Sequence, residues 1–470
     1  MKLRYIVFLF VGLFFAFSCG DDNSSYTYST ISKDAQIYSF KLAATHLKEG
    51  DSLSRAQDSI RFIKFNKTKF AIDQVKERIY NPDSLPYGMK LDKAYMTLTY
   101  GTYGASKITL DYPNDTTYDW TYTDSIKISK NFKIIVTAAD GSSTKEYDVD
   151  IRIHKIDPDT IIWSQAGIMP NVISPADRKV ILVNEDTFYA YAAVSGRGLV
   201  LHTAHRTLPL TWEEKSVSGL PLSGISTEGI TFMDGRFFLV TDSGDSYYSE
   251  DGQYWMQKNN GRNIYSILGI LPDISGAQVK NLLLVTYTDN GKLFFGTSED
   301  LSSIEKVRRI QGTGVSDDAS IKAGFPVKNM TGLTNVGDNQ WSNILMLVGG
   351  TDINGDELNS SWLFEKTSNG FGVSESSPIA GFGGKGLSTF FYDDFIYTFS
   401  GDSLYSTPSW GVNWKKVSSK QQLNPDMEIR KNQSVIADNE NYIWIFGGVS
   451  EGNIPLYDIW RGRLNRLAGK

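Results

Sequence analysis

From Trp163 onward the chain repeats one pattern: a short apolar strand, a turn, and a second strand closed by a large apolar residue. Gly198-Leu199-Val200-Leu201 leads to Thr211-Trp212-Glu213, Tyr247-Tyr248 to Tyr254-Trp255-Met256, and Leu293-Phe294-Phe295 to Ser303-Ile304-Glu305. Ser361-Trp362-Leu363-Phe364 with Phe371-Gly372-Val373, and Ser403-Leu404-Tyr405-Ser406 with Asn413-Trp414-Lys415, continue it. The closing residues Trp212, Trp255, Ile304, Phe371 and Trp414 stand 43, 49, 67 and 43 residues apart, the length of a four-stranded repeat. A hairpin precedes several of these pairs, as in Gly229-Ile230-Thr231-Phe232 and Arg236-Phe237-Phe238-Leu239-Val240 across Asp234-Gly235. Leu387–Phe391 with Phe395–Phe399, and Ser434–Ile436 with Tyr442–Phe446, are further examples. The last unit stops at a third strand, Leu456–Arg461, whereas Thr160–Gln165 stands ahead of the first unit as a fourth strand without a sheet. Joining them closes a ring and leaves no unpaired edge at the seam. The expected architecture over 158–470 is a six-bladed β-propeller closed by an N-terminal outer strand.

Composition agrees with an all-β chain of more than one domain: 470 residues, 13% aromatic, 42 glycines and only 21% charged. Phe132–Thr137 and Tyr147–Ile153 read as a hairpin across the Asp140-Gly141 turn, with Tyr95–Tyr100 and Lys107–Leu110 as further strands. An Ig or cadherin-like β-sandwich over 35–157 is the simplest closure, and Pro158 marks its boundary. The net charge of -6 has no basic cluster behind it, which argues against nucleic acid as a partner.

The N-terminus carries Lys2 and Arg4, an apolar run from Tyr5 to Phe17, and then Ser18-Cys19. The run is short for a membrane span and fits a secretory leader over 1–18. Ala16-Phe17-Ser18-Cys19 resembles a bacterial lipobox with Ala16 where Leu is commoner, which implies lipidation of Cys19, the chain's single cysteine. Acyl chains there would anchor the protein to outer-membrane lipid without a spanning helix. Asp21-Asp22 resembles the signal by which Bacteroidota-type lipoproteins reach the outer face of the outer membrane, so a cell-exterior location is expected. Residues 19–34 read as a polar tether. With no second cysteine, stability must come from the core rather than from a disulfide.

Two units carry a glycine doublet after the second strand, Leu347-Val348-Gly349-Gly350 and Ile445-Phe446-Gly447-Gly448, followed by Trp362 or by Tyr457 and Trp460. They resemble kelch repeats, in which glycines permit a tight turn and aromatics pack between blades. Ile79-Tyr80-Asn81-Pro82-Asp83-Ser84-Leu85-Pro86-Tyr87-Gly88, taken with the lipobox, the sandwich hairpin and the propeller, resembles a family of uncharacterised Bacteroidota surface lipoproteins. That resemblance implies a fold and a location, and no activity.

Ser249-Glu250-Asp251-Gly252-Gln253-Tyr254-Trp255 resembles an Asp-box, a turn between third and fourth strands that sits away from the catalytic face in the families that carry it. Ser298-Glu299-Asp300 and Ser406 to Trp414 are degenerate copies. Glycosidase chemistry of the sialidase kind needs an arginine cluster, a nucleophile pair and an acid, and no such set stands out. A copper site built on a cysteine joined to tyrosine has no cysteine available. His202 and His205 are a close pair beside a turn, short of the ligands zinc needs. Asp352-Ile353-Asn354-Gly355-Asp356 matches the start of a calcium loop and lacks its later glycine and glutamate.

One constellation follows from the alignment of the units. Arg178, Lys179, Lys328, Lys385, Arg430 and Lys431 lie at or just before first strands, near one mouth of the ring, with Glu228 as the contrary member. A positive field there would favour an anionic ligand such as an acidic sugar or a peptide carboxylate, although solvated rim residues would give the same pattern. The expected function is a cell-surface binding module for a glycan or a surface protein, with no cofactor, no metal and no catalysis. A glycan hydrolase or lyase, and a structural subunit of an outer-membrane complex, are the alternatives. Exposed Trp410 or Trp341 would serve as a sugar platform.

Overall fold

A computed structural model describes residues 31–44, 65–89, 91, 93–101, 104–113, 117–129, 131–172, 175–273, 280–334, 343–367, 370–376, 384–408 and 410–468. The leader, Cys19 and Trp341 lie outside the described residues. The chain divides into two units, one ending at Asp157 and the other beginning at Pro158.

In the N-terminal unit, strands Ile37–Ala44, Lys93–Tyr100 and Ser125–Lys127 form one sheet. A second has the order Ala71–Asp73, Arg78–Tyr80, Thr144–Asp150, Phe132–Ala138, Ala105–Asp111, Tyr118–Asp119. Alternation decides the faces: Ala94, Met96 and Leu98 of one sheet and Phe132, Ile134 and Val136 of the other enter the same core. The hairpin turn is held by Asp140, whose carboxylate accepts from the amides of Ser142 and Ser143 at 3.0 and 2.9 Å. The second hairpin strand ends at Asp150 rather than Ile153. There fully buried Asn81 takes over, accepting from the Arg152 amide at 2.7 Å and donating to its carbonyl at 2.9 Å.

The C-terminal unit holds six sheets among the described residues. The first is 175–183, 187–194, 198–205 and 213–215; the second is 231–233, 236–240, 246–249 and 256–258. The third is 263–273, 280–289, 292–298 and 305–306; the fifth is 388–392, 395–400, 403–407 and 415–416. The fourth, 331–334, 344–348, 361–367 and 370–375, gains a fifth strand, Ile310–Gly312, which pairs parallel with Phe371–Val373. That extra strand and its connection account for the long interval before Phe371.

The second strand of each sheet is apolar on both faces because each sheet lies between two others. Phe237 and Leu239 pack toward the first sheet and Phe238 and Val240 toward the third. Leu345 and Leu347 likewise face the third sheet and Met346 and Val348 the fifth. Ile443 and Ile445 face the fifth sheet, while Trp444 and Phe446 face the first. A two-residue period thus produces near-continuous apolar runs. The first strand of each sheet, joined in the second by the short turn Thr227–Gly229, touches its neighbours all the way round a closed circuit.

The sixth sheet is completed from both ends of the unit. Strand 161–168 pairs antiparallel with 458–464, whose other side carries 443–446 and 434–437. Trp163 lies over Gly462, where an added Cβ would fall 2.4 Å from its ring, and its indole donates to the Gln422 carbonyl at 2.9 Å. Gly462→Ala must push Trp163 out of this seat. We expect it to lower unfolding stability by about 1–3 kcal/mol, the usual effect of overpacking, measured by denaturant titration against wild type.

Candidate functional site

Antiparallel pairing brings the start of each first strand and the connection between second and third strands to the same face. The six cations expected at this mouth are distributed differently from an open positive ring. Arg430 is a buried brace: its guanidinium makes two bonds of 2.7 Å to the Asp458 carboxylate and one of 3.0 Å to the Gly447 carbonyl. Burial alone would raise the Asp458 carboxyl, but hydrogen bonds from Arg430 and Trp460 outweigh it and hold the group below its ordinary range. Lys385 pairs with Glu357 at 3.0 Å in a half-exposed contact, the kind that adds little stability. Lys328 lies 4.7 Å from the centroid of the Tyr265 ring.

Lys179, Lys328 and Glu228 are brought together. Lys179 donates to the carbonyls of Glu228 and Ile230 at 3.3 and 2.6 Å, and burial lowers its pKa. The Glu228 carboxylate accepts from the Asn329 amide, so it links the approach to the second sheet with the approach to the fourth, two sheets away. Asp177, which sequence reasoning passed over, accepts from Ser226 Oγ at 2.6 Å and from the Thr227 amide at 2.9 Å. The mouth is therefore a charge-compensated set of acids and cations rather than a uniformly positive funnel.

The two glycine doublets organise this face in the same way. Gly349, Gly350, Gly447 and Gly448 all have positive φ, as do Asn329 and Asn432, both at 56°. Thr351 N donates to the Lys328 carbonyl at 2.7 Å and Val449 N to that of Lys431 at 2.8 Å; Leu358 N and Leu456 N reach Gly350 and Gly448, each at 2.9 Å. Thr331 Oγ1 accepts from the Thr389 amide of the next sheet at 3.2 Å, and Ser434 Oγ accepts from Val180 at 2.8 Å. The signal was present in sequence as Lys328-Asn329-Met330-Thr331 and Lys431-Asn432-Gln433-Ser434.

The twin frames hold different side chains. Met330 packs against apolar residues between the third and fourth sheets, and Leu387 against those between the fourth and fifth. Gln433 and Arg178 hold the equivalent positions of the other frame, Gln433 beside Gly448 and Arg178 beside Gly447. Gln433 is 4% exposed, and neither polar atom of its amide has a partner among the described residues. Arg178 donates Nη1 to the Leu456 carbonyl at 3.1 Å and lies 4.4 Å from the Tyr457 ring centroid, while its buried Nη2 has no partner among the described residues. A buried polar group left unmet costs about 1–3 kcal/mol. Gln433, like Asp177, is a residue of this face that sequence reasoning missed.

Other sequence candidates resolve into scaffold roles. Ser249 Oγ accepts from the Gly252 amide at 2.9 Å, and Asp251 accepts from Gln253 and Tyr254 at 2.8 and 2.9 Å, which seats buried Trp255 between the first two sheets. Ser298 repeats the role toward Leu301 at 2.9 Å. His202 and His205 lie inside strand 198–205, not in a turn, and their odd spacing sends them to opposite faces. Asp352 spends its carboxylate on the amides of Asn354, Asp356 and Gly324 at 2.8, 3.0 and 2.8 Å, capping a turn. No group of three His, Cys, Asp or Glu side chains among the described residues could hold a metal ion. Trp410 packs against the core between the fourth and fifth sheets and is no exposed platform.

Sheets of four or five strands on a closed circuit define a β-propeller class of protein. The match to known families is specific: residues 157–470 fit the DUF6242 beta propeller domain and residues 40–151 the domain of unknown function (DUF6242) N-terminal domain. The chain belongs to the DUF6242 family. No curated protein matches it. Among solved structures, "Structure of YjhT" is 10% identical with a TM-score of 0.42, covering 62% of this chain and 95% of that one. The extracellular domain of the putative one component system BT4673 from B. thetaiotaomicron is also 10% identical, TM-score 0.35, covering 64% of this chain and 40% of that one.

Burial holds the Glu228 carboxyl above its ordinary 4.5, against the pull of the Asn329 amide, Lys179 and Lys328. An acid raised on folding stabilises most below its unfolded pKa and loses that contribution as pH rises through the folded value. The stability of Glu228→Gln relative to wild type should therefore increase between pH 4 and pH 7; a constant difference in denaturation midpoints would contradict the burial of this group.

Proposed function

We propose that this chain is a surface lipoprotein, anchored to outer-membrane lipid through Cys19, whose C-terminal unit works as a binding module for a glycan or a protein ligand. On this reading the six sheets are the blades of a six-bladed kelch-like propeller, and the N-terminal unit is an Ig or cadherin-like sandwich. Three features support that assignment: the two shared-frame glycine doublets, the closure of the sixth sheet by strand 161–168, and the single core between the N-terminal sheets. The leader residues and Asp21-Asp22 support the location.

The observation that carries the binding role is the pair of hairpin extensions on the mouth face. Connections 349–360 and 447–457 are long, whereas those at 195–197, 241–245, 290–291 and 401–402 are short. Each long connection ends in the same bonded turn, Asp352 N to Asp356 O and Ser450 N to Ile454 O, both at 3.0 Å. Each also exposes an isoleucine, Ile353 at 41% and Ile454 at 64%. Rigid loops presenting apolar tips on an otherwise charge-paired face suit recognition by contact.

A glycan and peptide array probed with the full-length chain tests this reading. A ligand should appear, and Ile353→Ser with Ile454→Ser should weaken it about tenfold, the effect of about 1.4 kcal/mol of lost apolar burial, while unfolding is unchanged. An array without a hit, or affinities indifferent to both substitutions, would refute it. Cys19→Ser should move the protein from the membrane pellet to the supernatant and abolish labelling by a fatty-acid probe.

A further inference from the structure

Among the described residues, two trios set a pair of arginines against one tyrosine ring, and they differ in whether an acid completes them. In the N-terminal unit the Arg78 and Arg152 guanidinium carbons lie 5.6 and 4.3 Å from the Tyr80 ring centroid. Asp150 joins the pair: its Oδ2 accepts from Arg152 Nε at 3.1 Å and from Arg78 Nη2. Burial alone would raise this carboxyl, but hydrogen bonds from Arg152 and Arg78 outweigh it and hold the group below its ordinary range. In the sixth sheet of the C-terminal unit, Arg461 and Arg463 lie 4.1 and 4.3 Å from the Tyr442 ring centroid, and Arg461 also 5.4 Å from that of Trp444. Neither of these guanidinium groups has a carboxylate partner among the described residues, and Arg461 Nε is buried without a hydrogen bond.

The acids of the adjoining turn are committed elsewhere. Asp438 is ion-paired with Arg206 at 2.6 Å and accepts from the Trp444 indole at 2.7 Å and from the amides of Glu440 and Tyr442 at 2.9 and 2.8 Å. Glu440 reaches Arg206 as well, at 3.2 Å. Strand geometry explains why the two cations meet one ring. Arg461 and Arg463 are two residues apart on strand 458–464, so both point to the side on which Ile459 packs toward the first sheet. Tyr442, two residues before Trp444, shares that side and sits at the end of the sheet away from the mouth. On the outermost strand Ser164 stands opposite Arg461 and Ile162 opposite Arg463, and Ile162 is exposed. All three members of the trio are partly exposed. A guanidinium laid against a ring spends its face there and keeps its in-plane N–H groups for a planar oxyanion.

We propose that Arg461, Arg463 and Tyr442 form a binding site of their own, which takes a carboxylate side chain of an extended acidic peptide in the place that Asp150 fills in the N-terminal trio. A peptide acid fits it better than an acidic sugar. Two guanidinium groups already overlie the Tyr442 ring on which a sugar would stack, and exposed Ile162 beside them offers contact to an apolar neighbour in the peptide. The site is independent of the loop tips at Ile353 and Ile454.

The test is fluorescence anisotropy of the full-length chain with a labelled heptapeptide of alternating aspartate and valine, its asparagine and valine counterpart, and trigalacturonate as a competitor. The aspartate peptide should bind at least tenfold more tightly than the asparagine peptide. Arg461→Lys keeps the cation but loses the planar fork, and should weaken the aspartate peptide severalfold. Ser164→Asp sets a carboxylate opposite Arg461, as Asp150 does for its own arginines; it should melt no lower than wild type and abolish peptide binding. Ile353→Ser with Ile454→Ser should leave the peptide affinity unchanged, which separates this site from the loop tips. Equal affinity for the two peptides, competition by trigalacturonate at lower concentration than by unlabelled peptide, a loss of affinity in the loop-tip variant, or undiminished binding in folded Arg461→Lys or Ser164→Asp protein would each overturn the assignment.

Discussion

The pairing of strand 161–168 with strand 458–464 is the contact on which the C-terminal unit depends, because it joins residues almost three hundred positions apart and leaves no sheet open at the seam. The four antiparallel strands of every other sheet in this unit are consecutive and can form from local hairpins. The sixth cannot. Its neighbours reinforce the junction with the first sheet. Arg206 lies 2.6 Å from the fully buried carboxylate of Asp438, which also accepts from the Trp444 indole at 2.7 Å. Phe188 meets Trp444 and Phe446 at ring separations of 5.1 and 4.9 Å. Long-range closure is paid for in loop entropy, and a junction of this density is what offsets it.

Much of the fold was legible because its periodicity is local. Runs such as Phe237-Phe238-Leu239-Val240 and Ile443-Trp444-Ile445-Phe446 are apolar at every position, and only a strand between two packed sheets requires that. Turns with chemical signatures were legible too: the Ser249 and Asp251 side chains cap the backbone amides that a turn at Gly252 leaves unmet. Strand ends were less so. The end of the hairpin strand at Asp150 is set by Asn81, some seventy residues earlier, and no local pattern announces that exchange.

The mouth face was legible only in outline. Sequence alignment placed the cations near one mouth, but a cation's role depends on its partner, and partners such as Asp458 for Arg430 or Glu357 for Lys385 come from elsewhere in the chain. Glu228 illustrates the point: its carboxylate crosses to Asn329 and lies among Lys179, Lys328 and Asp177, a grouping no spacing rule predicts. Counting charges therefore overstated the field. His202 and His205 show the converse, since closeness in sequence became separation across a strand.

Structural repetition separates what the frame needs from what it merely carries. Positions that recur in both doublet frames, the glycines, the left-handed asparagines and the hydroxyl residues Thr331 and Ser434, satisfy backbone groups and would be required for the turn in any ligand-free protein. Positions that differ are free of that requirement. Arg430 stands where the twin has Val327, and it comes with Asp458 in place of Ser360, so that substitution is answered within the protein. Arg178 and Gln433 stand where the twin has Leu387 and Met330; Arg178 comes with Tyr457 in place of Asn359, its ring centroid 4.4 Å away, while Arg178 Nη2 and the Gln433 amide have no partner among the described residues. The Arg430 departure is matched by a full counter-charge and the Arg178 departure only in part, so the two are physically different events: the first closes its hydrogen bonds within the frame and the second leaves donors that the frame does not use.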